Sequence, residues 1–332
     1  MMIGQANAGW MPRITAFGGG TGMSVLLKGL KRFTDRTTAV VTVGDDGGSS
    51  GRLRTELDVP PPGDIRNCII ALADTEPLME ELLQYRFDES ELAGHSFGNL
   101  LLVALTKITG DFKRAVQEAN RILRVRGRVL PATLKKVSIV AHHADGTKTT
   151  GEVRVGRASK PVVAVELQPK PVPATNEVFE AIEEADLFVF GPGSLYTSVV
   201  PTLLVDGVAD AIRRSSAKKV YVCNIMTQPN ETKGYTVSDH VMALLSHTSP
   251  DFLDYVIVNT GVPDKAVREQ YMRRGQYPVK NDAARLNGVK VVEADLLSAG
   301  GQAHHDPEKL ASCIMDILLE SLGSKGLPDE PR

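Results

Sequence analysis

The chain is 332 residues long, 42% hydrophobic and 23% charged, with a formal net charge of -2. This is ordinary globular composition, long enough for a large core, and without the basic or acidic block that marks nucleic-acid or anionic-membrane binding. Aromatic residues make up 5%, too few and too scattered for a platform that stacks single-stranded bases.

The three cysteines, Cys68, Cys223 and Cys313, are far apart and form no C-x-x-C pair. Neither a disulfide framework nor a zinc site is expected, and a reducing compartment is. Residues 1–11 lack the basic and apolar segments of a signal peptide and read as a flexible tail. Residues 323–332, rich in Gly, Pro and charge, read as another. No apolar run is long enough to span a bilayer.

In chain order, residues 14–17 make a short strand closed by Gly18-Gly19-Gly20-Thr21-Gly22. A helical pattern follows, with Val25, Leu26, Leu27 and Leu30 on one side. A β-branched run at 38–43 stops at Gly44-Asp45-Asp46-Gly47-Gly48-Ser49-Ser50-Gly51. Strand, glycine loop, helix, strand is a βαβ unit with a parallel sheet. Residues 64–126 read as helices, with Asp64 as an N-cap before 65–72 and further helices at 80–86, 99–106 and 112–123. The period then changes. Short alternating runs at 134–140, 149–155 and 162–167, with Asp145-Gly146 as a hairpin turn, predict an antiparallel module inserted over 128–169. The βα rhythm resumes with helices at 176–184, 205–214, 237–246, 264–273 and 307–322, and strands at 187–190, 219–223, 255–258 and 289–292. The expected fold is one Rossmann-like, three-layer α/β/α domain over 12–322, with a mostly parallel sheet and the small β module.

Ligands of open α/β sheets bind beyond the carboxyl ends of the strands, and the unusual residues of this chain fall there. Gly18, Gly19, Gly20, Thr21 and Gly22 can bring backbone N–H groups to a phosphate, or simply make a tight turn. The loop fits neither the dinucleotide fingerprint, because Met23 holds the third glycine position, nor a Walker A loop. Asp45 and Asp46 end the second strand, where a carboxylate can bond a ribose hydroxyl or two can hold Mg²⁺. Ser49, Ser50 and Arg52 continue as an anion-binding loop. Asp64, Arg66 and Asn67 open the next helix, and a cation so near a helix N-terminus points to an anionic ligand or a salt bridge. His95 and Asn99 open another helix, with His95 a candidate base or phosphate donor. His142-His143-Ala144-Asp145 lacks metal-site spacing. Gly191, Gly193, Ser194 and Tyr196 repeat the logic of the first loop. Asn224, Thr227 and Gln228 suit a base or sugar edge, and Tyr271 suits stacking. Asp45, Asp46, Asp64 and His95 are the catalytic candidates, but no Ser-His-Asp order and no activated cysteine stands out.

Taken together, Phe17 to Gly22, Gly44 to Arg54, Pro62 to Asn67, His95 to Asn99, Gly191 to Ser198 and Met226-Thr227-Gln228-Pro229 resemble the YvcK-type gluconeogenesis factors of the CofD-like superfamily. The resemblance runs from about Pro12 to the last helix. It implies a Rossmann-like core, a cytoplasmic location and a role in cell shape and wall-precursor supply on gluconeogenic carbon. It also implies a nucleotide ligand, a UDP-sugar or an NAD-like dinucleotide. The CofD branch transfers a phospholactyl group from a GDP-linked donor with Mg²⁺, so Asp45 and Asp46 inherit a metal role from it. The Gly-Gly-Ser-Ser-Gly-Arg-Leu-Arg continuation favours the YvcK branch. The family pattern has Arg-His-Asp-Pro where this chain has His304-His305-Asp306-Pro307, so His304 puts a titratable side chain where a permanent cation is expected. The expected partner is a small nucleotide ligand, not nucleic acid; regulatory protein partners and a homo-oligomer are left open. A regulatory binding protein is favoured over a Mg²⁺-dependent transferase, and both over a NAD-dependent oxidoreductase.

Overall fold

The computed structural model describes residues 11–323. The chain begins β1 (Ile14–Gly18), α1 (Gly20–Leu30), β2 (Thr37–Val41), α2 (Gly48–Glu56), α3 (Gly63–Leu72), α4 (Pro77–Gln84), α5 (Phe97–Thr109), α6 (Phe112–Ile122) and β3 (Arg128–Pro131). A small segment follows: β4 (Ser138–His143), β5 (Lys148–Thr150), α7 (Glu152–Val155) and β6 (Val162–Gln168). The second half runs α8 (Asn176–Glu184), β7 (Leu187–Phe190), a π-helical turn (Leu195–Val199), α9 (Val200–Leu203), α10 (Val208–Arg214), β8 (Lys218–Val222), α11 (Val237–Ser246), β9 (Tyr255–Asn259), α12 (Lys265–Met272), β10 (Lys290–Ala294) and α13 (Pro307–Gly323).

Seven strands form one parallel sheet in the order β10-β9-β8-β7-β1-β2-β3. The central strands are buried along their whole length, as continuous apolar runs covered on both faces should be. Alternate residues feed two cores. Ile14, Ala16, Val189 and Val222 pack with Met23, Leu26 and Leu27 of α1, Ile65 and Ile69 of α3, and Leu310 and Ile314 of α13. Phe17, Phe188, Phe190 and Tyr221 face the other way, onto α8, α11 and the small sheet. The Phe17 and Phe190 rings lie 5.7 Å apart. Each such side chain contributes about 1.5–3 kcal/mol by leaving water.

The chain winds outward from β1 through β2 to β3, then returns to build β7 to β10 on the other side of β1. The chain therefore leaves β1 and β7 toward opposite sides of the sheet, which puts the switch point between these two strands.

Four expectations change. Arg128–Pro131 belongs to the parallel sheet, paired with β2, so the antiparallel sheet β5-β4-β6 occupies only 138–168; a four-residue apolar run does not reveal its partner. The strand expected at 149–155 ends at Thr150, and α7 follows because the Asp46 carboxylate accepts the Val153 N–H at 2.9 Å. The helix expected at 205–214 starts at Val208, since Asp206 turns its carboxylate to the Val172 N–H at 2.7 Å. Asp64 is not an N-cap: α3 begins at Gly63, behind Pro62, and frees the Asp64 side chain for the glycine loop.

Candidate functional site: a cleft at the switch point

The helix α1 starts without a side-chain cap and without an acidic residue in its first turn. The Asp64 carboxylate accepts the Gly20 N–H, and the remaining first-turn amides and the positive dipole end have no side-chain cap of their own. Two glycines make this loop what it is. A Cβ on Gly22 would sit 2.5 Å from the Pro192 carbonyl oxygen, and one on Gly19 would collide with the Asp64 carboxylate. The loop after β1 is thus held between the loop after β7 and the start of α3, and only glycine fits at both contacts. Gly191, at the end of β7, donates its N–H to Phe17 O at 3.0 Å and ties the strand ends together beside Gly18.

A cleft of about 280 Å³ opens there. The loop residues Gly19, Gly20, Thr21 and Gly22 form one wall, and Gly193, Ser194, Asn224 and Gln228 the other. Tyr271 and the exposed His304 stand at its rim. Asn224 fixes Gly193 from both sides, accepting its N–H at 3.2 Å and donating to its carbonyl at 2.7 Å. Gln228 donates to the Ser194 hydroxyl at 2.6 Å. The Tyr271 hydroxyl accepts the Ala303 N–H at 3.3 Å, joining α12 to the segment before α13. Among the described residues lining the cleft, none is Lys, Arg, Asp or Glu, so an anion there meets backbone donors.

Behind the loop lies a second cluster. Asp64 accepts the Gly20 N–H, and burial, then the nearby Asp45 charge, raise its carboxyl to about 7. Glu152 of α7 is raised to about 9 by burial and by Asp45, Asp64, Glu231 and Asp46. Glu231, buried and bonded to Thr197 Oγ1 at 3.1 Å, is raised to about 7 by burial. Asp45 and Asp46 do not act as a pair: Asp45 accepts the Gly47 N–H at 2.8 Å, while Asp46 turns away to Val153. Among the described residues no three His, Cys, Asp or Glu side chains are arranged to hold a metal ion. The two adjacent carboxylates thus serve different backbone donors, Asp45 within its own loop and Asp46 at the start of α7. Next to these acids, Ser49 and the buried His95 lie 3.0 Å apart, and Asn99 donates to Ser49 at 3.0 Å. Burial, then the Arg52 charge, lower the His95 pKa and favour its neutral ring. Ser50 accepts the Gly63 N–H at 3.1 Å.

Several expected ligand contacts are placed elsewhere. Arg66 bonds the Ser96 hydroxyl, Asn99 at 3.1 Å and Asn67 at 2.6 Å, with its Nε buried and without a protein partner among the described residues. Arg52 reaches Ala93 O at 2.8 Å and braces the loop before α5. Tyr196 is buried with its hydroxyl on Tyr235 at 2.8 Å. Thr227 is buried and accepts the Tyr277 N–H at 3.0 Å. The loop after β7 does not repeat the first, because the Glu231 carboxylate takes the Tyr196 and Thr197 amides at the head of the π turn. His142 bonds Glu166 at 2.9 Å and His143 bonds Thr149 at 2.7 Å. The sequence reading passed over His305, Met226 and Ala303, which line the cleft, and Glu152, Glu231 and Ser96, which support it. Of these, Met226, Ser96 and His305 stood inside motifs that carry the family resemblance, without being singled out as site residues.

Fold and cleft define a doubly wound α/β protein with a ligand crevice at the switch point of its sheet. A family model described as 2-phospho-L-lactate transferase CofD matches residues 14–297. The gluconeogenesis factor of Bacillus subtilis is 46% identical over 317 residues, 94% of this chain and 100% of that protein. That of Halalkalibacterium halodurans is 46% identical over 307 residues, 91% of this chain and 95% of its own. A crystal structure of a Bacillus halodurans protein superposes with a TM-score of 0.89 at 46% identity, covering 92% of this chain and 100% of that one. The chain belongs to the CofD family, among its gluconeogenesis factors.

Proposed function

We propose that this gluconeogenesis factor is a nucleotide-binding regulatory protein, with a UDP-sugar or an NAD-like dinucleotide as its ligand. On this reading it acts in the cytoplasm, in cell-shape and wall-precursor regulation on gluconeogenic carbon. The supporting observation is the glycine loop and first turn of α1, which line a cleft without Lys, Arg, Asp or Glu among its described residues and of whose amides Asp64 holds that of Gly20. Such a site suits a diphosphate held by backbone amides. The carboxylates lie behind the loop and not in the cleft wall. Among the described residues no helix is long and apolar enough to cross a membrane. The test is calorimetric titration with UDP-N-acetylglucosamine, GDP and NAD, with and without Mg²⁺, followed by chemical assay of the recovered ligand. Binding of one intact nucleotide supports the regulator; binding of none sinks it.

A second reading, a transferase of phosphorus-containing groups, has one observation in its favour. Asp64 lies against the glycine loop, and the nearby Asp45 charge raises its proton affinity. Two crowded carboxylates can share a proton, or a divalent cation brought in with phosphates. Ligand consumption that requires Mg²⁺ and is lost in Asp45→Asn would establish this reading over the first.

A further inference from the structure

Large apolar side chains left in water are unevenly spread over this chain. Of the fourteen among the described residues, eight fall in two short segments. Single exposures are ordinary, but clusters mark contact surfaces. The first segment, residues 76–92, is α4 and the turn after it. Leu78, Leu82 and Tyr85 recur at helical spacing on one face, with Met79 beside them and Leu92 in the turn, and Leu78 is 75% exposed. The turn is held in shape by the Phe87 N–H on His95 O at 3.0 Å and the Phe97 N–H on Tyr85 O at 2.9 Å. The second segment, residues 262–280, spans α12. Val262 is 70% exposed, and Met272 and Tyr277 are exposed with it. No residue of α12 is buried; the helix rests on Ile225, Met226 and Ala303 through Val267 and Tyr271.

The two segments carry opposite charge. Residues 76–92 hold Glu76, Glu80, Glu81, Asp88, Glu89 and Glu91 against Arg86, a net of -5. Residues 262–280 hold Lys265, Arg268, Arg273, Arg274 and Lys280 against Asp264 and Glu269, a net of +3. Little of this is neutralised nearby. Glu80 meets Lys28 at 2.9 Å, and Lys265 meets Glu269 at 4.0 Å. The side chains of Glu76, Glu81, Asp88, Glu89 and Glu91 have no partner among the described residues, and neither do those of Arg268, Arg273, Arg274 and Lys280. Like charges gathered around exposed apolar groups raise the energy of a free surface twice over. A surface of opposite charge and similar apolar content relieves both terms. The segments sit on opposite halves of the sheet, α4 beside α5 on the β2–β3 side and α12 after β9, so they do not cover each other within one molecule.

We propose that residues 76–92 of one copy dock on residues 262–280 of a second copy, acid on base around an apolar centre. The contact joins unlike surfaces, so every copy has one of each to offer. It closes into a two-fold dimer when both contacts form between the same two copies, and otherwise extends into a ring or filament. The inference does not depend on which ligand the cleft binds.

The test is sedimentation velocity of the full chain from micromolar to submillimolar concentration, at low and high salt. Wild type should associate as concentration rises, and less at high salt, because salt screens exposed charge pairs. The double variant Glu81→Lys, Glu89→Lys and the double variant Arg273→Glu, Arg274→Glu should each associate at least about tenfold more weakly, since like charges brought face to face oppose docking. An equal mixture of the two should associate again, because each retains the face that the other's intact face complements. That rescue separates this pairing from any other use of the two surfaces. Wild type that stays monomeric throughout would overturn the proposal. So would association that neither reversal weakens, or loss in both variants without rescue on mixing. All four positions are exposed. Should a reversed variant fail to fold, glutamine at the same positions gives the same reading with losses of roughly threefold per face, the scale of exposed ion pairs.

Discussion

The glycine loop after β1 has two sides, and they are chemical opposites. On the side of β7 lies a cleft whose wall carries no charged side chain and keeps two acceptors unpaired. On the side of β2 and α3 lies a basin crowded with Asp45, Asp64, Glu152, Glu231, Ser49, His95 and Arg66, where most polar atoms have been given partners within the protein. The cleft carries little charge and the basin concentrates it, while buried atoms without a partner occur in both: Gln228 Oε1 and His305 Nε2 beside the cleft, Arg66 Nε, Glu152 Oε2 and Glu231 Oε2 in the basin. The basin shapes the loop by holding the Gly20 amide and by excluding any side chain at Gly19.

The comparison breaks hardest at the loop itself. Gly22→Val would push a branched side chain into the Pro192 carbonyl. We expect about 3 kcal/mol of lost stability, the upper end of the usual cost of overpacking, read by urea denaturation, and loss of ligand binding in the folded fraction. Near wild-type behaviour on both counts would mean that the two switch-point loops do not need this close approach.

The basin predicts the opposite sign. Glu231 ionises at about 7 in the folded protein against an ordinary 4.5. Between those pH values the native state keeps a proton that the unfolded chain has lost, so this group's contribution to stability falls as pH rises from 4.5 to 7. The penalty is complete above 7. Glu231→Gln should thus stabilise the protein at pH 8 by on the order of 2 kcal/mol, and have much less effect at pH 4.5. Equal effects at both pH values would show that Glu231 matters through packing at the π turn and not through its buried charge.

What was legible in the sequence follows the same division. The parallel sheet and its glycine loop were readable because apolar runs ending in glycine clusters report local backbone demands. The residues that set the character of the site were not. Glu231 caps the π turn from 34 positions along the chain at Thr197, and His305 reaches the cleft from the segment before the last helix. No local pattern encodes such approaches. Tyr196 was expected at the ligand because its loop resembles the first, but the π turn buries it against Tyr235. Arg66 was expected to meet an anionic ligand or a salt bridge, and nothing in its local pattern signals that its guanidinium bonds Ser96, Asn99 and Asn67.

A smaller change tests whether the basin is scaffold. Ser49→Ala strips His95 Nδ1 and Asn99 Nδ2 of a partner. The expected cost is about 1–2 kcal/mol in stability, with the ligand's Kd unchanged within twofold. A tenfold loss of affinity without a loss of stability would place part of the ligand in the basin and erase the division.

The mildest change works at the rim of the cleft. His304 is exposed beside a wall that holds no cation among its described residues. His304→Arg would add a permanent charge with a planar donor fork suited to phosphate. Solvent exposure limits the gain to about 1 kcal/mol, or roughly fivefold in Kd at low salt. The gain should shrink as salt is added, because charges near water are screened over about 10 Å at 0.1 M ionic strength. Titration at two salt concentrations separates the alternatives. A gain that persists in high salt would mean the arginine is drawn into the cleft and desolvated, and no gain at any salt would mean the anionic end of the ligand lies at the glycine loop, beyond reach of position 304.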